Sequence, residues 1–184
     1  MATTKLFTAE DLATMGADAP FELDMGELVE VCPSFGDASA YAVNIIIPLG
    51  TFVKRGRLGV VFGPDGGFFL TWNPDTVRAP DVAFVRRERI PPGLDLRAFF
   101  PGAPDLAVEV LSSSNTRREI ERKIHHYLAA GTTLIWIANP LRQTVEVVRP
   151  DQDRRLLQTG DVLDGQEVVP GFRLPVADIF DVFS

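Results

Sequence analysis

Two carboxylates stand where a core strand would be expected to reject them. Asp81 opens the run Asp81-Val82-Ala83-Phe84-Val85, and Glu109 lies inside Leu106-Ala107-Val108-Glu109-Val110-Leu111, with apolar neighbours on both sides. Burying an ionised carboxylate without a partner is costly, so something must offset it: a basic partner, a raised pKa or a metal ion. Two such carboxylates on adjacent strands could hold a hard cation such as Mg²⁺, which takes oxygen ligands and keeps several waters. Lys123 is the natural third member. On a helical wheel it lies roughly 80° to one side of an apolar stripe centred near Ile124, so its stem can run along the core edge and carry the ammonium to the sheet. The competing reading is an intrahelical pair between Glu119 and Lys123, four residues apart in the favourable order.

These residues need a sheet and a helix to bring them together, and both are legible. Leu106 to Leu111 is a near-continuous apolar run, suited to the middle of a sheet covered on both faces. Asn115 to Ala130 is the clearest helix, with Ile120, Ile124, Tyr127 and Leu128 as its buried stripe, a cap at Ser114 or Asn115, and Gly131 as its stop. Thr133 to Ala138 and Thr144 to Val148 read as strands, as do Leu58 to Phe62, Phe68 to Thr71 and Val82 to Val85. Asp37 to Val53 reads as a helix capped by Asp37 and kinked at Pro48. Phe21 to Asp24 and Glu27 to Cys32, joined at Met25-Gly26, form an N-terminal hairpin. A short helix capped by Thr8 precedes it. A helical turn is expected around Leu96 to Phe99, and another around Val176 to Phe180 in a tail of short strands. The order argues for an α/β fold: a mixed central sheet with helices on both faces, in one domain over 1–184, with residues 1–20 as a helical extension and 151–184 as C-terminal strands and a helical turn.

Composition narrows the function classes. At 184 residues and 46% hydrophobic content the chain can bury a real core. No apolar stretch is long enough to cross a bilayer, and the first ten residues lack a secretory pattern. The single cysteine, Cys32, excludes an intramolecular disulfide and any multi-cysteine zinc site, and fits a small strand filler in a reduced, cytoplasmic compartment. The net charge of −7 is awkward for a nucleic-acid binder. The cations are clustered, however, at Lys54, Arg55 and Arg57, at Arg86, Arg87 and Arg89, and at Arg117, Arg118, Arg122 and Lys123.

Several ordered segments carry a resemblance. They are Phe21-Glu22-Leu23-Asp24-Met25-Gly26-Glu27-Leu28-Val29, Arg78-Ala79-Pro80-Asp81-Val82-Ala83-Phe84-Val85, Pro104-Asp105-Leu106-Ala107-Val108-Glu109-Val110-Leu111-Ser112, the helix with Lys123 and Tyr127, and Leu134-Ile135-Trp136-Ile137-Ala138-Asn139-Pro140 after Gly131. Together, over about residues 21 to 150, they resemble the Uma-type restriction endonucleases, a bacterial group within the PD-(D/E)xK nuclease superfamily. The resemblance implies a restriction-endonuclease-like core. It matches Asp81 to the aspartate of the PD motif and Glu109 to the acidic residue of the second motif. Leu111 stands where the superfamily lysine usually follows, and Lys123, from the next helix, matches the family's lysine. The implied chemistry is metal-dependent hydrolysis of phosphodiester bonds in DNA, with Mg²⁺ (Mn²⁺ as a substitute) on Asp81 and Glu109. A homodimer is implied as well, since nucleases of this fold often pair.

Glu27 and Glu30 could add an oxygen ligand but read better as solvated strand residues. Asp105 reads as part of the turn entering the core strand, and Tyr127 and Trp136 as core. Ser39 stands where the family often carries a histidine, and the two histidines present, His125 and His126, fall elsewhere. That departure and the acid balance favour the alternative, a non-catalytic binding or adaptor protein that keeps the nuclease fold. Convergence of Asp81, Glu109 and Lys123 is what the first reading requires.

Overall fold

Six strands make the central sheet of the computed structural model, which describes residues 5–16, 19–31 and 36–183. In chain order the strands are β1 (Phe21–Asp24), β2 (Glu27–Glu30), β3 (Gly59–Phe62), β4 (Phe68–Thr71), β5 (Thr76–Arg78), β6 (Val82–Arg86), β7 (Phe100–Pro101), β8 (Leu106–Val110), β9 (Leu134–Asn139), β10 (Thr144–Val148), β11 (Arg155–Leu157), β12 (Val162–Asp164) and β13 (Arg173–Pro175). The helices are α1 (Ala9–Thr14), α2 (Gly36–Gly56), α3 (Arg117–Ala129) and α4 (Val176–Phe180), with a 3₁₀ turn at Arg87–Arg89. The central sheet has the order β11-β10-β9-β8-β6-β3, and a second sheet has the order β2-β1-β5-β4-β7. Only β8 and β9 run parallel in the central sheet, linked by α3 as the crossover. This is a restriction-endonuclease-like core with an N-terminal hairpin.

The faces of β8 sort by alternation. Leu106, Val108 and Val110 join Val82, Phe84 and Trp136 in a core with α2 and α4. Ala107, Ala83, Val85, Ile135 and Ile137 face the other way, against Ile120, Ile124 and Tyr127 of α3 and against Phe68 and Phe100 of the second sheet. Residue 109 shares the parity of Ala107, so an acid there points at α3 rather than α2. Val82 pairs with Val108 across the antiparallel β6–β8 ladder, and one further step sets Asp81 opposite Glu109. Opposite residues of an antiparallel pair share a face, so both carboxylates look toward α3.

Several expectations need correction. Residues 96–97 form a turn and no helix follows through 99. The 3-residue strand β5 was not anticipated; it follows a cis Asn73-Pro74 bond and pairs with both β1 and β4. The cap of α3 is Thr116, not Ser114 or Asn115. The Asn115 side chain instead accepts from the Ser112 amide at 2.8 Å. Gly131 does end α3, at φ 103°, where the Thr132 amide reaches back to the Tyr127 carbonyl at 2.9 Å. Cys32 lies outside the described residues, as does the side chain of Asp37. No described helix is long and apolar enough to cross a membrane.

Candidate active site

Glu109 is the centre of the site. It is buried in β8, and its two oxygens are held by α3: Lys123 Nζ donates to Oε2 at 2.9 Å and the Tyr127 hydroxyl donates to Oε1 at 2.7 Å. The spacing of Lys123 and Tyr127 on one helix explains the double grip, because residues four apart stack on the same side of α3. Tyr127 is therefore not a plain core residue; its ring packs in the core while its hydroxyl holds the acid. The competing Glu119–Lys123 pair does not form. Glu119 closes a capping box, accepting from the Thr116 amide at 2.8 Å, which leaves Lys123 to turn inward.

Asp81 lies beside it. Its Oδ2 accepts from the Val110 amide at 2.6 Å, next along the chain from Glu109. Among the described residues no hydrogen bond engages its other oxygen. Burial raises the Asp81 pKa, and the Val110 hydrogen bond and the Lys123 charge only partly oppose it. Glu109 is pushed up to about 7, first by burial and further by the charges of Asp81 and Glu22, against the pull of Lys123 and Tyr127. Lys123 is held above the usual lysine range despite its burial, because Glu109 and Glu22 both face it.

Glu22 is the residue that sequence reasoning missed. Glu27 and Glu30 of β2, the hairpin acids weighed as ligands from sequence, are exposed, while Glu22 and Asp24 of β1 are buried. Lys123 Nζ lies 3.3 Å from Glu22 Oε1, so one ammonium bridges two carboxylates. Arg78 of β5 anchors the acids from behind, at 2.8 Å to Glu22 and 2.6 Å to Asp24. The Ala79 amide adds a further bond to Glu22 at 3.0 Å. Burial alone would raise Glu22, but Lys123, Arg78 and the Ala79 amide bring its pKa below the ordinary value. The only sequence signal was alternation, Phe21-Glu22-Leu23-Asp24, which reads as a half-exposed strand. What buries the acids is the pairing of β1 with β5, which puts Leu23 against Val77.

His126 completes this layer. Arg78 Nε donates to its Nδ1 at 3.3 Å, so the neutral ring carries its proton on Nε2, which faces the otherwise unbonded Asp24 Oδ1 at 3.7 Å. Burial and the adjacent Arg78 charge hold its pKa down. The fold thus brings a histidine close to the acids from α3, whereas Ser39 is exposed on α2. The buried side of α2 belongs to the core on the other face of the sheet.

The donor set suits a hard divalent cation in one specific way. Among the described residues no three acidic, histidine or cysteine side chains are poised as a ready-made cage. Glu109 and Glu22 are already engaged by cations and hydrogen-bond donors, which leaves Asp81 with one open oxygen and Glu109 as its neighbour. A small oxygen-loving ion held by one or two carboxylates, with water and phosphate filling the remaining positions, matches such a site.

The comparisons agree with this architecture. A solved structure described as a putative nuclease belonging to DUF820 from Anabaena variabilis is similar over 95% of this chain and 97% of its own, at 23% identity and a TM-score of 0.81. No curated protein matches the chain. The model of the Uma2 family, described as "Putative restriction endonuclease", matches residues 8–177. The chain therefore belongs to the Uma2 family of putative restriction endonucleases.

Proposed function

We propose that this protein is a metal-dependent endonuclease that hydrolyses phosphodiester bonds in DNA, with Asp81, Glu109 and Lys123 as its catalytic residues. The observation that supports this best is Glu109, a core-strand carboxylate held by Lys123 and Tyr127 on the face it shares with Asp81. Asp81 and Glu109 would hold Mg²⁺, or Mn²⁺ in its place. When bound, the ion supplies Lewis-acid polarisation of a phosphoryl oxygen and a more acidic water. Tyr127 keeps the Glu109 carboxylate oriented. Lys123 places a positive charge beside it, suited to orienting the attacking water or steadying charge on the phosphate in the transition state. Glu22 and Arg78 position Lys123 rather than touch substrate. One domain, a cytoplasmic location and a homodimer belong to the same proposal, and sedimentation velocity checks the last.

The test is calorimetric titration with Mg²⁺ and Mn²⁺, with plasmid DNA present and absent, beside the Asp81→Ala/Glu109→Ala double variant. Binding by the wild type that the variant loses, together with metal-dependent nicking or linearisation of the plasmid, is the expected result. No binding at millimolar metal even with DNA present would discard the nuclease reading in favour of a non-catalytic adaptor that keeps the fold.

A further inference from the structure

A groove between the C-terminal end of α2 and the corner joining β6 to the 3₁₀ turn carries cations that no carboxylate pairs with among the described residues. It is lined by Lys54, Arg57, Gly59, Val60, Arg87 and Ile90 and encloses about 480 Å³. Lys54, Arg57 and Arg87 are exposed, and among the described residues none of the three has an ion pair. Their neighbours differ. Arg86 donates to the Glu167 carbonyl at 2.8 Å and lies 3.8 Å from Asp105, while Arg89 lies 3.1 Å from Asp105 and donates to the Ala103 carbonyl at 2.9 Å. Three cations left over after structural pairing therefore stand together in this groove. Glu88, in the same turn, pairs with none of them among the described residues.

Cations in the last turn of a helix ordinarily answer its dipole, which accounts for Lys54 and Arg55. It does not account for Arg87, which comes from another element and is fixed there by its amide bonding the Leu58 carbonyl at 2.8 Å. Nor does it account for Arg57. That residue sits at φ 51°, just past the helix end, where the Leu58 amide reaches back to the Val53 carbonyl at 3.0 Å. Glycine or asparagine is the usual occupant of this left-handed position.

We propose that this groove binds the phosphate backbone of duplex DNA as an anchoring site remote from the reacting centre; this rests on the nuclease reading above. Asp81 immediately precedes β6 and Arg87 immediately follows it, so the two lie at opposite ends of one strand. At about 3.3 Å per strand residue that separation is roughly 20 Å, about six steps of duplex at 3.4 Å each. On a chain of net charge −7, a cluster of cations unpaired among the described residues gives the backbone a local point of attraction.

The experiment is anisotropy of a labelled 20-base-pair duplex in EDTA, where cleavage is suppressed, with wild type and the triple variant Lys54→Gln/Arg57→Gln/Arg87→Gln at several salt concentrations. The expected result is at least about tenfold weaker binding and a log–log salt slope shallower by about two to three. Unchanged affinity and slope, or a wild type that binds no duplex at low salt, overturns the proposal. Arg87→Glu alone, at an exposed position, serves if the triple variant misfolds, and an unchanged slope there also overturns it. Hydrolysis of bis(p-nitrophenyl) phosphate by the wild type with Mn²⁺ reports the reacting centre alone, because that substrate cannot span the distance to the groove. Hydrolysis with DNA binding unchanged in the variant removes the groove and keeps the nuclease. Weakened DNA binding without hydrolysis by the wild type keeps the groove and removes the nuclease.

Discussion

Asp105 immediately precedes β8 and Glu109 lies near its far end, and they are buried almost equally, at 4% and 5% exposure. Their surroundings are opposite. Asp105 meets two guanidinium groups, Arg89 at 3.1 Å and Arg86 at 3.8 Å, and accepts from the Arg86 amide at 2.9 Å. Cations outnumber the anion, and the carboxylate is fully answered. Glu109 meets one ammonium that it shares with Glu22, and the charges of Asp81 and Glu22 both work against its ionisation. There the anions are in surplus. Burial alone thus separates nothing; what separates these two carboxylates is whether the protein supplies enough positive charge or leaves room for more.

Substituting across this pair should give the largest effect. Asp81→Asn or Glu109→Gln is expected to lower metal-dependent DNA cleavage by about 10²- to 10³-fold, as removal of one electrostatic partner does in other enzymes, and chelation of the metal should match it. Asp105→Asn is expected to leave cleavage by the folded protein intact while costing about 1–3 kcal/mol in urea unfolding, less than a fully buried pair because Arg86 and Arg89 are partly solvated. If the folded Asp105 variant were inactive, the contrast between the two carboxylates would be lost.

The pH dependence of metal binding sharpens the contrast further. With Glu109 raised to about 7, protons compete with the ion below that value. Apparent Mn²⁺ affinity should fall roughly tenfold per pH unit well below 7 and level off above it, as titrations between pH 5.5 and 8.5 would read. The linkage to stability has a definite sign. A carboxyl raised in the fold holds its proton more tightly there than in the unfolded chain, so its contribution is fully present below the unfolded pKa and is lost as pH rises through about 7 in the absence of metal. An affinity flat from pH 6 to 8 would show that Glu109 is not a ligand.

The smallest effects come from the neighbours, and they carry opposite signs. Glu22→Gln removes a charge that raises Glu109, so the midpoint of that titration should move down by less than about one unit. Tyr127→Phe removes a hydrogen bond that lowers it, so the midpoint should move up by a similar amount. Shifts in the same direction from both variants would contradict this arrangement.

Much of this is legible in the sequence. Apolar periodicity located the core strand β8 and helix α3, and the two acids were conspicuous because they interrupt apolar runs. Lys123 could be placed beside the stripe of α3, but its choice between Glu119 and Glu109 could not be read, since both were within reach. The choice turns on the capping box, which engages Glu119 with Thr116. The role of the N-terminal hairpin was also hidden. Alternation along β1 and β2 looks similar, and only the pairing of β1 with β5 shows which strand carries the buried acids.

By itself the sequence determined the local choices: strand or helix, which stripe is buried, where α3 stops, and which carboxylates are out of place. These depend on residues a few positions apart, where period and capping chemistry act directly. Only the tertiary structure decided which charges meet. Arg78 reaches Glu22 and Asp24 from 56 and 54 residues away, and Arg87 joins Lys54 and Arg57 across the β3–β6 corner. Electrostatic partnership depends on distance in space, and strand pairing between distant segments sets that distance.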